Sequence, residues 1–133
     1  MTTVTCRYEG GLRCRAEHGP SGTELLTDAP VDNQGKGEGF SPTDLLGTAL
    51  ASCILTIMAM AGERHGIALE GSSARVQKTM TDSGARRIAA LQVWITLPAG
   101  LDEEQRRLLQ RAAAGCPVKR SLQEAVPIEL HWS

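Results

Sequence analysis

Four cysteines, Cys6, Cys14, Cys53 and Cys116, carry most of the reactive chemistry in this 133-residue sequence. A thiolate is a nucleophile and a soft metal ligand, and a suitably placed pair cycles between dithiol and disulfide. None of the four forms C-x-x-C, and the three histidines, His18, His65 and His131, are widely spaced. No metal site is therefore expected. Gly115-Cys116-Pro117 sets one thiol at the N-cap of a short helix opened by Pro117. Unpaired N–H groups and the helix dipole favour an anion there, and Lys119 and Arg120 add positive charge within a turn. On local grounds Cys116 is the activated thiol. Cys53 lies among Ala49, Leu50, Ile54 and Ile57 with no cation nearby, and alone it reads as a small buried hydrophobe.

Those thiols depend on the elements around them. Residues 3–8 and 12–17 alternate about Glu9-Gly10-Gly11, the pattern of a β-hairpin. Pairing about Gly10 sets Cys6 opposite Cys14, Val4 opposite Ala16 and Tyr8 opposite Leu12, with Arg7, Arg13 and Arg15 on the other face. In that register Cys6 and Cys14 are packed thiols with the geometry to pair, and a reducing compartment favours the thiol form. Residues 23–27 read as a third strand and 28–40 as a glycine-rich irregular loop. Ser41-Pro42-Thr43-Asp44 carries the start signals of a helix: a capping serine, proline at the first position and an acid at the third. The helix should run to His65 and stop at Gly66.

Residues 69–80 and 87–97 form a second expected hairpin about Asp82-Ser83-Gly84, with Ala89, Leu91, Val93, Ile95 and Leu97 along one face. Asp102 should cap a helix over 103–114, with Leu101, Leu108, Leu109 and Ala112 inward. Pro117 opens a short third helix, and 126–132 alternates as a last strand. The order βββ-α-ββ-αα-β specifies an α+β fold, mostly antiparallel, in a single domain over 1–133.

Composition narrows the function. Net charge is −1 and aromatic residues make up 3% of the chain, so no basic or aromatic-basic surface points to nucleic acid. The uncharged stretch from Leu45 to Gly62 reads as a buried helix rather than a membrane span. The first residues lack the basic and apolar regions of a secretory signal, so a cytoplasmic location is expected.

Ser41-Pro42-Thr43-Asp44-Leu45-Leu46 followed by Ala49-Leu50-Ala51-Ser52-Cys53 resembles the central-helix motif of the OsmC/Ohr superfamily, the osmotically inducible and organic-hydroperoxide-resistance proteins. Cys116-Pro117-Val118, with Ser121-Leu122, resembles the family's second cysteine motif. The resemblance extends over essentially the whole chain. It implies an OsmC-like fold with a long central buried helix, an intertwined homodimer whose subunits contribute to each other's sites, and thiol-dependent reduction of hydroperoxides. Cys53 would attack the peroxide and Cys116 would resolve the sulfenic acid to a disulfide. An external dithiol would then reduce that disulfide, with no cofactor.

The hydroperoxidases of that family carry a glutamate where this chain has Thr43, and that acid orients an arginine against the thiol. Arg13 and Arg15 are the candidate arginines, and Asp44 the neighbouring acid, although one helical residue rotates it by ~100°. The chain is closest to an OsmC-like branch distinct from those hydroperoxidases. Two readings follow: a thiol peroxidase using Cys53 and Cys116, or a small-ligand-binding or redox-sensing protein on the same scaffold.

Overall fold

Alternating side chains either side of two glycines fold the first residues into a hairpin, β1 (Val4–Gly10) and β2 (Arg13–His18), to which β3 (Glu24–Asp28) adds antiparallel on the β2 side. The computed structural model describes residues 1–133, which divide into two compact units, residues 1–46 and 47–133. The β1-β2-β3 sheet belongs to the first.

Its register departs from the simple hairpin. Cys6 faces Ala16 and Tyr8 faces Cys14, with a bulge between Tyr8 and Gly10. The cause is the turn. Gly11 and Leu12 both take left-handed backbone (φ 63° each), the requirement of a tight two-residue hairpin loop. The pairing slips by two residues, which preserves every side chain's face because the strand period is two. Arg7, Arg13 and Arg15 thus stay on one face, but Cys6 and Cys14 become diagonal rather than opposite neighbours, and both are free thiols.

The 28–40 loop closes on itself. Asp28 N–H donates to the Phe40 carbonyl at 2.9 Å, and Gly37 N–H to the Ala29 carbonyl at 3.2 Å. Gly35 passes so near the Ala29 backbone that a Cβ would stand 1.7 Å from its carbonyl oxygen, so only glycine fits there.

α1 (Pro42–Arg64) begins as its sequence specifies. Asp44 N–H donates to Ser41 Oγ at 3.0 Å and Ser41 N–H donates to Asp44 Oδ2 at 2.9 Å, a reciprocal cap that satisfies two otherwise unpaired donors. From Gly47 onward the helix belongs to the second unit. By length and composition α1 would cross a bilayer; its Leu50, Ile54 and Met58 are sealed in the protein core. Thr48, Ser52, Thr56 and Met60 form an exposed stripe at four-residue spacing in the single chain. Ser52 and Thr56 donate their hydroxyls to the Thr48 and Ser52 carbonyls at 2.8 Å, so the stripe is uncharged and these two donors are satisfied within the helix.

The second sheet comprises β4 (Ser73–Met80), β5 (Ile88–Thr96) and β6 (Ile128–Trp132) in that order. β4 and β5 pair antiparallel, but β5 and β6 pair parallel. α2 (Glu103–Ala114) and α3 (Pro117–Leu122) carry the chain back, the crossover that parallel neighbours need. Asp102 and Gln105 cap α2 reciprocally. Leu91, Val93 and Ile95 of β5, Leu109 and Ala113 of α2, and Cys116 complete the core with the three α1 residues. Each large side chain sealed there stabilises the fold by roughly 1.5–3 kcal/mol relative to exposure.

Candidate active site: a thiol pair of unequal burial

The core of the second unit brings two cysteines together. α1 delivers Cys53 from its middle, half-buried and packed against the core cluster. α2 ends at Gly115, the next residue is Cys116, and Pro117 starts α3. Cys116 has no exposed surface. Its carbonyl accepts from Arg120 N–H at 3.0 Å and its sulfur accepts from Lys119 N–H at 3.5 Å. Cys53 is near enough to act on that thiol as a neighbouring group. Both are free.

The local expectation for Cys116 is half met. The helix N–H groups are in place, and they favour the thiolate. Burial nonetheless pushes the Cys116 thiol up, and the neighbouring Cys53 acts in the same direction. Desolvation of the charged form outweighs the backbone donor at the helix start. Cys116 therefore rests as a protonated thiol, and Cys53 is the sulfur open to an incoming molecule.

The other candidates lie in the first unit. Arg13 is held by Glu38 and by Asp28, the latter at 3.4 Å. Asp28 is buried, and its Oδ2 also accepts from Glu38 N–H at 2.9 Å. That backbone bond, together with Arg13, holds the Asp28 carboxyl below the usual range against the opposing effect of burial. Arg15 pairs with Glu9 at 3.1 Å and Glu24 at 2.9 Å. Asp44 takes part in the α1 cap, and Ser41 Oγ lies 3.2 Å from Thr43 Oγ1.

Sequence reading missed one cluster in the second unit. The Arg75 guanidinium sits 4.1 Å over Trp94, and Trp94 stacks on His131 with ring centroids 4.9 Å apart. His131 also contacts Gln92 at 3.3 Å. The parallel register of β5 and β6, which sets Trp94 beside His131, is the signal that was not legible. His65 Nδ1 meets the Ala61 carbonyl and His18 Nδ1 meets Ser21 Oγ. At the end of α1 a cleft of about 300 Å³ is lined by Ala59, Ile67 and Leu69 and by the carboxylates of Glu63 and Glu70.

No functionally curated protein matches the chain. Among solved structures, a Psychrobacter arcticus protein named for osmotic stress induction and detoxification response is 41% identical, with a TM-score of 0.93 over 100% of this chain and 96% of that one. The Legionella pneumophila organic hydroperoxide resistance protein OsmC is 19% identical, with a TM-score of 0.80 over 100% and 96% of the two chains. OhrB of Bacillus subtilis, an organic hydroperoxide resistance protein, is 18% identical, with a TM-score of 0.75 over 100% and 98%. The last two share the fold. Residues 35–131 match the family model described as OsmC-like protein, and with that match the chain belongs to the OsmC-like family.

Proposed function

We propose that this protein is a cytoplasmic, thiol-dependent peroxidase that reduces organic hydroperoxides through Cys53 and Cys116. The observation that carries the reading is that the half-buried Cys53 packs against the core cluster enclosing the fully buried Cys116, whose thiol it influences. Cys53, the accessible sulfur, attacks the outer peroxide oxygen and becomes a sulfenic acid. Cys116 attacks that sulfur, releases hydroxide and closes a disulfide, which forestalls over-oxidation to the sulfinic acid. An external dithiol returns both thiols. Hydroperoxide-resistance proteins among the structural relatives support the substrate class.

Arg13 and Arg15 both stay arginine candidates, since Glu38 and Asp28 hold the first and Glu9 and Glu24 the second, acids that could orient a guanidinium where Thr43 cannot. The reading includes a homodimer. Val4, Tyr8 and Leu25 are large exposed apolar residues on one sheet face of the first unit, a surface that a second copy would cover.

The test is peroxide consumption with a dithiol reductant. Wild type should consume cumene hydroperoxide, and Cys53→Ser should not. Equal, background-level rates for both proteins would refute the reading. Thr43 favours the second reading, a ligand-binding or redox-sensing protein. Full cellular protection by a Cys53→Ser, Cys116→Ser double variant would establish that one instead.

A further inference from the structure

The second unit holds a concavity that the thiol chemistry does not use, the cleft at the end of α1. Its construction is local. Gly66, in left-handed backbone at φ 69°, stops the helix, and the Ile67 N–H turns back to the Gly62 carbonyl at 2.8 Å. That is the hydrogen bond of a Schellman stop. It folds residues 67–69 back against the last turns of α1. Gly62 makes the return possible, because a Cβ there would stand 2.5 Å from Leu69 Cδ2 and 2.7 Å from the Ile67 carbonyl oxygen. The space left open, about 300 Å³, has Ala59, Ile67, Ala68 and Leu69 as its apolar lining.

Two acids border that lining. Glu63 occupies the last turn of a 23-residue helix, at the negative end of the dipole, where a base is favoured. Glu70 follows on the returning segment and lines the same cleft. Like charges gathered on one rim repel. Neither carboxylate takes part in a hydrogen bond or ion pair with the chain. Arg64, next to Glu63, does not line the cleft, and His65 Nδ1 meets the Ala61 carbonyl instead. The helix stop therefore sets two unpaired acids beside an apolar floor, with no compensating contact inside the molecule. Places where a local rule is broken without local compensation are characteristic of binding sites.

We propose that this cleft binds a small amphiphilic cation: a primary alkylammonium whose head is taken by Glu63 and Glu70 and whose hydrocarbon stem lies on Ala59, Ile67 and Leu69. The match is one of charge and of size. With an anionic rim and an apolar floor, the complementary ligand carries a cation at one end and methylenes at the other. At about 300 Å³ the cleft stands at the small end of ligand sites, which suits an unbranched amine. A carboxylate of the same length is repelled, and a neutral alcohol leaves both acids without a partner. Neither Cys53 nor Cys116 lines the cleft, so this binding stands or falls apart from the peroxidase reading.

The probe is n-hexylamine, protonated at neutral pH like a lysine side chain, with 1-hexanol and hexanoate as its neutral and anionic counterparts. Each is titrated into the full chain and followed by methyl NMR. Hexylamine should give saturable shifts at the Ala59, Ile67 and Leu69 methyls, and hexanoate none. From propylamine to hexylamine, binding should tighten about fourfold per methylene, the effect of burying one CH₂. Glu63→Gln combined with Glu70→Gln should weaken hexylamine binding about tenfold, the upper range for two partly exposed ion pairs. Without ligand the same double variant should melt above wild type, because it relieves the charge at the helix end. That rise also shows that the variant is folded. Hexanol binding as tightly as hexylamine, unchanged binding by the double variant, or no shift at those methyls would overturn the proposal. So would a double variant with altered sedimentation while hexylamine leaves wild type untouched, since a second copy would then be what covers the cleft.

Discussion

Leu50, Ile54, Met58, Leu91, Ile95 and Leu109 are sealed from solvent in the 47–133 unit, whereas Val4, Tyr8, Leu25, Leu26, Val31 and Phe40 of the 1–46 unit are 45–73% exposed. The buried residues of the first unit are polar, Asp28 and Ser41. One unit is held by apolar packing between a helix layer and a sheet. The other is held by backbone ladders, a self-closing loop and carboxylate–arginine contacts, with its apolar side chains left facing outward. Val4, Tyr8 and Leu25 share one sheet face, and clustered exposed apolar side chains of this kind mark interaction surfaces. The difference teaches where each part's stability comes from: apolar packing in the thiol unit, and polar contacts in the hairpin unit, whose exposed apolar face is the one the proposed homodimer would cover.

Core truncation should have the largest effect. Leu91→Ala is expected to cost about 2–5 kcal/mol, read from urea unfolding, while Leu25→Ala in dilute protein should stay within about 0.5 kcal/mol. Equal losses would erase the contrast. The same Leu25 should matter for association. Tyr8→Asp combined with Leu25→Asp is expected to turn a dimer in analytical ultracentrifugation into a monomer, since central apolar interface residues each carry about 2 kcal/mol or more. Unaltered sedimentation would move the interface elsewhere. Removing either helix cap, by Ser41→Ala or Asp102→Ala, should cost about 1 kcal/mol, because capping is local and indifferent to which unit hosts it.

The smallest effects separate the units by pH. The Asp28 carboxyl is held low by the Glu38 N–H and Arg13, so its stabilising contribution is present above the ordinary carboxylate pKa of about 3.9. It is lost as pH falls below that value through the lower folded one. Asp28→Asn should flatten the acid limb of stability against pH. Cys116 behaves oppositely. Its thiol is raised from 9.0 chiefly by burial, so the fold favours the neutral form, and stability declines as pH rises past the unfolded thiol's value. Cys116→Ala should be destabilised at neutral pH but lack that alkaline limb.

Much of this was legible in the sequence where the controlling interaction is local. The Ser41–Asp44 cap is an i, i+3 relation, and the faces of β1 and β2 follow from a period of two that a two-residue slip does not disturb. The slip itself was not legible, because it depends on Leu12 adopting left-handed backbone, which a β-hairpin pattern does not encode in a leucine. For Cys116 the position at a helix start was readable from Gly115 and Pro117. Its burial was not, because the core cluster that includes it draws on α1 and β5, far away along the chain. Cys53 is the converse case: its neighbours along α1 identify an apolar helix, and only the family resemblance implies the role of attacking thiol that we propose for it. The parallel return of β6, and the Arg75–Trp94–His131 stack that β6 joins, needed tertiary pairing as well.

The central claim is that Cys53 and Cys116 form one redox unit while Cys6 and Cys14 stand apart. It is tested most directly by peptide mapping after one equivalent of cumene hydroperoxide is added to the reduced protein. Loss of two thiols per chain, with Cys53 and Cys116 recovered as one disulfide-linked peptide pair and Cys6 and Cys14 still alkylatable, is the expected result. Four intact thiols, or a disulfide that leaves out either Cys53 or Cys116, would contradict it.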